Sequence, residues 1–300
     1  AYNFDVDIIY NYNVISGMLL SINSENYQDF IKFSTKHSEI VQIKKNTAID
    51  ASHLFTSLTL AEKQTDLSYN SADNWWLNAI GALDLPYSGK NVNLAILDTG
   101  VSVHPDFYEK NNRQETRIIK SKNFTYEENI DDENYTYDSY GHGTHCAGIA
   151  AGNGYLSNGK YRGVAPQANI FNAKVSNSTG YIFEANVIAA IDWCIQENVH
   201  IMSMSFGGII PTVWNLETKA VKKAVELGIT VVSSAGNSGP NLFTSGSPAT
   251  GIYSIAVGAT DRNDNIATFS SRGPSYSRQM LPDLCAPGVN IVSTESEGAL

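Results

Sequence analysis

The chain has 300 residues, of which 42% are hydrophobic, and a formal net charge of −10 with a pI near 5.0. This length and composition suffice for one large domain and a smaller one. The net negative charge and the lack of a basic stripe argue against a nucleic-acid-binding protein, which needs a positively charged surface. No apolar run approaches the ~18 residues that a membrane span needs, and the first residues lack the charged start and apolar centre of a signal peptide.

The number and spacing of the cysteines argue against a zinc site and against a disulfide-stabilised fold. The three cysteines, Cys146, Cys194 and Cys285, are an odd number and show no CxxC spacing. This pattern is unlike that of a zinc ribbon or a disulfide scaffold. We therefore predict free, buried thiols.

The first 50 residues are patterned as a small α+β unit. The apolar periodicity predicts strands over 4–12 and 13–22, a helix over 24–38 and a further strand over 39–45. The polar, weakly patterned stretch at 54–74 then predicts a linker.

Beyond the linker, short apolar runs alternate with helical patterns. Strands are predicted over 92–98, 168–175, 199–206, 229–237, 252–260 and 290–294, and helices over 184–198 and 216–228. Such alternation is typical of an α/β fold, with a mostly parallel sheet covered by helices on both faces. Functional residues are then expected at the carboxyl ends of the strands.

Polar residues do fall at three of these strand ends. Asp98 ends the run "NLAILD", Ser205 ends "VHIMSMS" and Asn237 follows "ITVVSSAG". Any one of them alone is explained as a turn residue or a helix cap. Their joint placement favours a shared site.

The stretch "DSYGHGTHCAG" at 138–148 places His142 and His145 three residues apart. A metalloprotease-type metal pair needs a spacing of four and an adjacent glutamate, and neither is present. Simple packing of both histidines is a second interpretation. The third is a catalytic base, which requires one imidazole whose tautomer is fixed by a carboxylate. Asp98 is a suitable carboxylate, and the sequence favours this interpretation.

Several motifs together resemble the subtilisin-like serine proteases in order and approximate spacing. They are "AILDTGVSVHPDF", "GHGTHCAGIAAG", "GVAPQANI", "MSMSFGG", "SSAGNSG", "FSSRGP" and "DLCAPGV". The resemblance implies a subtilisin-like α/β fold and a serine endopeptidase that acts on polypeptides without a catalytic cofactor. It assigns Asp98 as the orienting carboxylate, His142 as the general base and Asn237 as the donor to the oxyanion. His145 and Cys146 are then expected to pack beneath the site.

The same resemblance implies how substrate binds. In this family the peptide adds as an extended strand beside protein edges, which places the substrate near 178–180 and 205–207. The implied substrate-binding residues are Gly180, Ser205, Phe206, Gly207, Gly208, Ala235, Gly236 and Gly246. No charged side chain occupies this set, so we expect medium to large apolar or aromatic residues before the scissile bond.

Residues 1–53 resemble the later part of the family's inhibitory propeptide, a partial ferredoxin-like unit that would act as an intramolecular inhibitor. An unrelated α+β module is the alternative. On the first interpretation, residues 54–74 are the linker and maturation region, and residues near 46–57 lie in the active-site cleft like a product. Residues 75–300 are then a catalytic domain that is incomplete at its C-terminal end, in a protein that is secreted or held at the cell surface.

Two assignments are left open by the motifs. Structural calcium is frequent in the family, and Asp106 matches a common ligand position, but no metal residues are assigned. The family pattern continues to Gly-Thr-Ser, so the nucleophilic serine is expected beyond Leu300, and Ser293 and Ser296 lack that setting. Residues 1–300 alone are therefore expected to be inactive. A non-catalytic binding or inhibitory module is the alternative functional class.

Overall fold

The computed structural model describes residues 6–37, 39–40, 42–46, 48–50, 74–109, 112–125, 135–208 and 215–296. The strands are Val6–Tyr12 (β1), Gly17–Ile22 (β2), Ala48–Asp50 (β3), Asn93–Asp98 (β4), Tyr108–Glu109 (β5), Asn112–Thr116 (β6), Ile118–Asn123 (β7), Asn169–Lys174 (β8), Tyr181–Phe183 (β9), Ile201–Met204 (β10), Thr230–Ser234 (β11), Ile255–Thr260 (β12) and Leu284–Pro287 (β13). The α-helices are Tyr27–Ser34 (α1), Trp75–Ala79 (α2), His142–Ala151 (α3), Glu184–Gln196 (α4) and Leu216–Glu226 (α5), and Pro105–Phe107 form a 3-10 turn.

A sheet of seven parallel strands forms the centre of the molecule, in the order β13-β12-β11-β10-β4-β8-β7. Its middle strand β4 is buried on both faces. Leu94 and Ile96 pack into one apolar cluster with α3, whereas Ala95 and Leu97 pack into another with α4 and α5. Because successive side chains of a strand point to opposite faces, this split places helices on both sides of the sheet. The predicted α/β architecture is confirmed.

The strand order brings the candidate site residues to one edge of the sheet. Strand β10 pairs in parallel with β4 on one side and with β11 on the other. Strand β4 ends at Asp98, β10 leads into Ser205, and Asn237 lies shortly beyond β11. Parallel neighbours end at the same edge, so these three positions share the end of the sheet at which α/β proteins place their sites.

The N-terminal unit packs on α4. Strands β1 and β2 form an antiparallel pair, and Tyr12 and Val14 join the same apolar cluster as that helix. The predicted strand over 39–45 is wrong: residues 42–45 form no strand, and the short strand β3 follows instead. The reason is visible at Lys44, which forms an ion pair with Glu184. Side-chain contacts with α4, rather than a sheet ladder, hold this segment.

Two further expectations need correction. Residues 290–294 form no strand, because Ser293 and Thr294 donate hydrogen bonds from their hydroxyls to carbonyls of α3, while β13 takes the place at the sheet edge. The three cysteines are free as predicted, but only Cys194 is fully buried, and Cys285 is exposed. In the described part of the chain, no helix combines the length and apolar character needed to cross a membrane.

Candidate active site

The site is built around Asp98, the last residue of β4, and His142, the first residue of α3. Nδ1 of His142 lies 2.6 Å from Oδ1 of Asp98, where a ring N–H donates to the carboxylate. The backbone amide of Thr99 donates to the same oxygen at 2.7 Å. Asp98 and His142 are only 1% and 9% exposed. This contact fixes the tautomer of the imidazole and leaves Nε2 as its proton-accepting atom.

The pKa of His142 reflects two opposing effects. Burial would lower the pKa, but the adjacent Asp98 carboxylate outweighs it, helped by Cys146, and the pKa lies well above the ordinary value. Sγ of Cys146 is 3.8 Å from Nδ1 and 3.9 Å from Nε2 of the ring. The imidazolium is therefore stabilised whenever the ring takes up a proton.

A glycine allows this close approach of helix and strand. A Cβ atom on Gly143 would lie 2.1 Å from the carbonyl oxygen of Gly100 and 3.0 Å from Cβ of Asp98. Any side chain at this position would push the first turn of α3 away from β4. The glycine that follows His142 in the sequence thus permits the close approach of His142 to Asp98.

The predicted substrate-binding glycines lie where two backbone segments touch. Gly208 and Ser247 form an antiparallel bridge, with N–H···O distances of 3.1 and 2.9 Å. A Cβ on Gly246 would meet the carbonyl oxygen of Gly208 at 2.6 Å. Phe206 is 1% exposed and packs in the core, so its side chain faces away from solvent. The substrate-binding role of this set stays a prediction.

Comparison with known proteins decides the family. Residues 89–299 match the Subtilase family. This chain belongs to the subtilase family. Serine protease AprX of Bacillus subtilis (strain 168) is 40% identical over 227 residues, which are 70% of this chain and 49% of that protease. Subtilisin DY of Bacillus licheniformis is 36% identical over 212 residues, which are 69% of this chain and 68% of that protein.

Solved structures agree with the subtilase assignment. Sphericase superposes with a TM-score of 0.61 at 32% identity, covering 75% of this chain and 76% of that one. The S41 psychrophilic protease gives a TM-score of 0.60 at 33% identity, covering 75% of each chain. The chain spans between about half and three fifths of the length of the first curated relatives that it matches.

The second histidine of this subtilase has different surroundings. Nε2 of His145 lies 3.2 Å from the carbonyl oxygen of Ile291. Burial, together with the nearby charge of His142, lowers the pKa of His145 to about 4. His145 is therefore neutral near pH 7 and contacts a backbone carbonyl, which suits a packing role rather than proton transfer.

The remaining predicted residues are placed as follows. Asn237 is exposed just beyond β11, and Gly236 before it has a φ of +108°. Its role as an oxyanion donor stays a prediction. Gly180 directly precedes β9, whose residues Tyr181–Phe183 pair antiparallel with Ala48–Asp50. An extended segment thus already lies beside the edge at which substrate is expected.

One group of side chains has the spacing of a metal site. Among the described residues, this group of potential metal ligands consists of Asp98, His142 and Cys146. Their ligand atoms all lie within 4.8 Å of one another. Nδ1 of His142 is already engaged by Asp98, so a metal there would compete with that contact. Asp106, the position matched to calcium, accepts a hydrogen bond from the amide of Leu156 at 3.0 Å. We assign no metal ligands.

Sequence reasoning missed three polar residues beside the site: Thr99, Asp138 and Thr144. Asp138 is fully buried, and its carboxylate binds the first turn of α3. The available signal was an aspartate shortly before the first glycine of "GHGTH". Aspartate before a helix is a capping signal, but Asp138 lies too far upstream to be the N-cap residue itself.

Proposed function

We propose that this subtilase is part of a serine endopeptidase that hydrolyses peptide bonds with an Asp–His–Ser triad. The observation that carries the proposal is the 2.6 Å contact between Nδ1 of the first-turn histidine His142 and the carboxylate of Asp98 at a strand end. Serine proteases use this pairing to orient a base toward a hydroxyl nucleophile. Family membership supports the same conclusion.

The chemistry follows from the second ring nitrogen of His142, the one that does not face Asp98. Nε2 of His142 takes the proton of the serine hydroxyl as the oxygen attacks the peptide carbonyl, and Asp98 stabilises the imidazolium that forms. The same proton then passes to the leaving amine. Asn237 would donate its side-chain amide to the oxyanion of the tetrahedral intermediate. In subtilisin, the type example of this interaction, losing the corresponding asparagine costs about 10²- to 10³-fold in turnover.

The nucleophilic serine is proposed to follow Leu300 in a Gly-Thr-Ser sequence, within ~10–30 residues as ordinary loop lengths allow. The two serines nearest the end of the described chain are used elsewhere. Ser293 donates to the carbonyl of His145 at 2.7 Å, and Ser296 donates to that of Asp138 at 2.6 Å. Their engagement with backbone argues against either as the nucleophile, and residues 1–300 alone should be inactive.

Residues 1–53 are proposed to act as an inhibitory propeptide of a zymogen that is secreted or displayed at the cell surface. Three contacts support this. Strand β3 pairs with β9 beside Gly180, Lys44 forms an ion pair with Glu184, and Asn13 donates two hydrogen bonds to Asp192 at 3.1 and 3.2 Å. A polypeptide substrate would bind along the same edge once this segment leaves. Cleavage is expected near residues 46–57, of which residues 47 and 51–57 lie outside the described residues.

The test uses the complete gene product. We expect labelling by a serine-directed fluorophosphonate and hydrolysis of a chromogenic peptide. His142→Ala should lower turnover by several orders of magnitude, whereas His145→Ala should mainly lower the melting temperature, because only His142 contacts Asp98.

Two results would contradict the proposal. One is an equal catalytic loss from both substitutions in folded protein. The other is a complete gene product that folds but neither reacts with the fluorophosphonate nor cleaves peptides, which would favour the non-catalytic alternative.

A further inference from the structure

The first turn of α3 is held by a carboxylate from outside the helix. Gly141, the N-cap residue, has a φ of +91° and offers no side chain to the free backbone amides. Asp138 supplies the hydrogen-bond acceptors that a capping side chain would otherwise provide. Its Oδ1 accepts from the amide of Gly141 at 2.8 Å, and its Oδ2 accepts from the amide and the hydroxyl of Thr144 at 2.8 and 2.7 Å.

The same carboxylate is linked to the strand that carries Asp98. The hydroxyl of Thr99 donates to Oδ1 of Asp138 at 2.7 Å and accepts from the amide of Gly143 at 2.9 Å. The amide of Thr99 in turn donates to the Asp98 oxygen that contacts His142. Thr99 therefore joins both carboxylates, and the backbone on each side of His142 is fixed to the end of β4.

Burial makes this arrangement stiff. Asp138 is 0% exposed, and its carboxylate accepts five hydrogen bonds, from Tyr140, Gly141, Thr99 and, twice, Thr144. Hydrogen bonds to a buried carboxylate are short and strong, and an anion at a helix N-terminus is further stabilised by the helix dipole.

We propose that Asp138 is a positioning residue that sets the imidazole of His142 against Asp98, acting through Thr99 and the first turn of α3. Its kinetic consequence rests on the proposed peptidase function, whereas its effect on the ring does not. An amide in place of the carboxylate has one acceptor oxygen instead of two, and its NH₂ group faces backbone and hydroxyl donors. The turn must then shift to relieve this conflict.

The direct test is the proton that bridges His142 and Asp98, which gives a far-downfield signal in proton NMR. In Asp138→Asn we expect this signal to move or to broaden beyond detection, and the pKa of His142 to move toward its ordinary value. Asp106→Asn is the matched control, because it also neutralises a buried carboxylate that accepts a backbone amide, but near the C-terminal end of α3 rather than at its first turn. In the control, the bridging-proton signal and the pKa of His142 should both equal those of the wild type.

The kinetic arm uses the complete protease. Misplacement of a catalytic group by about 1 Å can cost on the order of 10²-fold, so Asp138→Asn should lower kcat by about 10- to 100-fold with little change in KM. Thr99→Ser keeps the bridging hydroxyl and should retain most of kcat. Thr99→Val removes the hydroxyl at nearly equal size and should lower kcat in the same way as Asp138→Asn.

The outcomes separate the two proposals. A folded Asp138→Asn with an unchanged bridging-proton signal and unchanged kcat overturns the positioning role. If Asp138→Asn does not fold, the Thr99 pair decides, and identical signals in Thr99→Val and Thr99→Ser overturn it. If the wild type shows no peptidase activity while the NMR signal responds as expected, the positioning role stands and the proposed function fails.

Discussion

Gly143→Ala tests whether the distance between α3 and β4 controls catalysis. Near the start of a helix this change would ordinarily stabilise the protein by up to ~1 kcal/mol. Here the new methyl group would lie 2.1 Å from the carbonyl oxygen of Gly100. The first turn must retreat by about 1 Å to restore an ordinary contact distance. Overpacking of this kind costs ~1–3 kcal/mol, so after the ordinary gain we expect a net loss of about 0–2 kcal/mol in the free energy of unfolding.

The catalytic effect should be larger than the loss of stability. A retreat of that size would lengthen the 2.6 Å contact between His142 and Asp98 beyond hydrogen-bond distance. Since such a displacement can reduce turnover by on the order of 10²-fold, kcat of the complete protease on a chromogenic peptide should fall by about that factor. Urea unfolding followed by circular dichroism gives the stability, and kinetics in the folded range give kcat.

Gly148→Ala in the same helix is the matched control. A Cβ on Gly148 would lie 2.2 Å from the hydroxyl oxygens of Ser293 and Thr294, and it is directed away from Asp98. We expect a comparable loss of stability with kcat within a few-fold of wild type. Wild-type kcat in folded Gly143→Ala, or an equal loss of kcat in Gly148→Ala, would refute the idea that this glycine sets the position of the base.

Three further predictions concern the pocket, the oxyanion and a buried acid. Asn237→Ala should lower kcat by about 10²- to 10³-fold with little change in KM, because the amide acts on charge that appears only in the transition state; a rise in KM alone would make it a substrate clamp. Cleavage sites in a denatured protein, mapped by mass spectrometry, should follow large apolar residues, and a dominant preference for Lys or Arg would contradict the pocket interpretation. Burial chiefly raises the pKa of Glu217 from 4.5 to about 7, although its bond from Ser247 opposes this. The folded protein therefore favours the protonated acid, and its unfolding free energy relative to Glu217→Gln should fall by on the order of 3 kcal/mol as the pH rises from about 4.5 to 7; parallel pH profiles for the two proteins would exclude this.

Much of the fold could be predicted because its signals are local. Buried parallel strands give continuous apolar runs, and those at Asn93–Asp98 and Asn169–Lys174 have the predicted positions to within two residues. The pairing of Asp98 with His142 was predictable from a strand end, a histidine motif and a family resemblance. The structure then shows which atoms meet: Nδ1 of His142 lies 2.6 Å from Oδ1 of Asp98.

The errors arose where the partner of a residue is distant in the sequence. The pattern at 39–45 suggested a strand, but Lys44 finds its partner 140 residues later at Glu184. The run at 290–294 also resembled a strand, yet its hydroxyls bind the backbone of α3. Asp138 could not be recognised as the support of α3, because its reach depends on the left-handed turn at Gly141. The periodicity of a segment shows which of its side chains are buried together, but it does not show which distant part of the chain they pack against.

The hydroxyls of Ser293, Thr294 and Ser296 close on the start of α3 across 148, 150 and 158 residues of chain. Closing loops of this length is entropically costly, so contacts of this kind form late in folding and slow the overall rate. Pulsed hydrogen exchange during refolding should accordingly show the amides of α3 protected after those of β4 and β8, and earlier protection of α3 would argue against this order. The consequence is a delay in folding: the start of α3 is fixed only after segments about 150 residues apart in the chain have met.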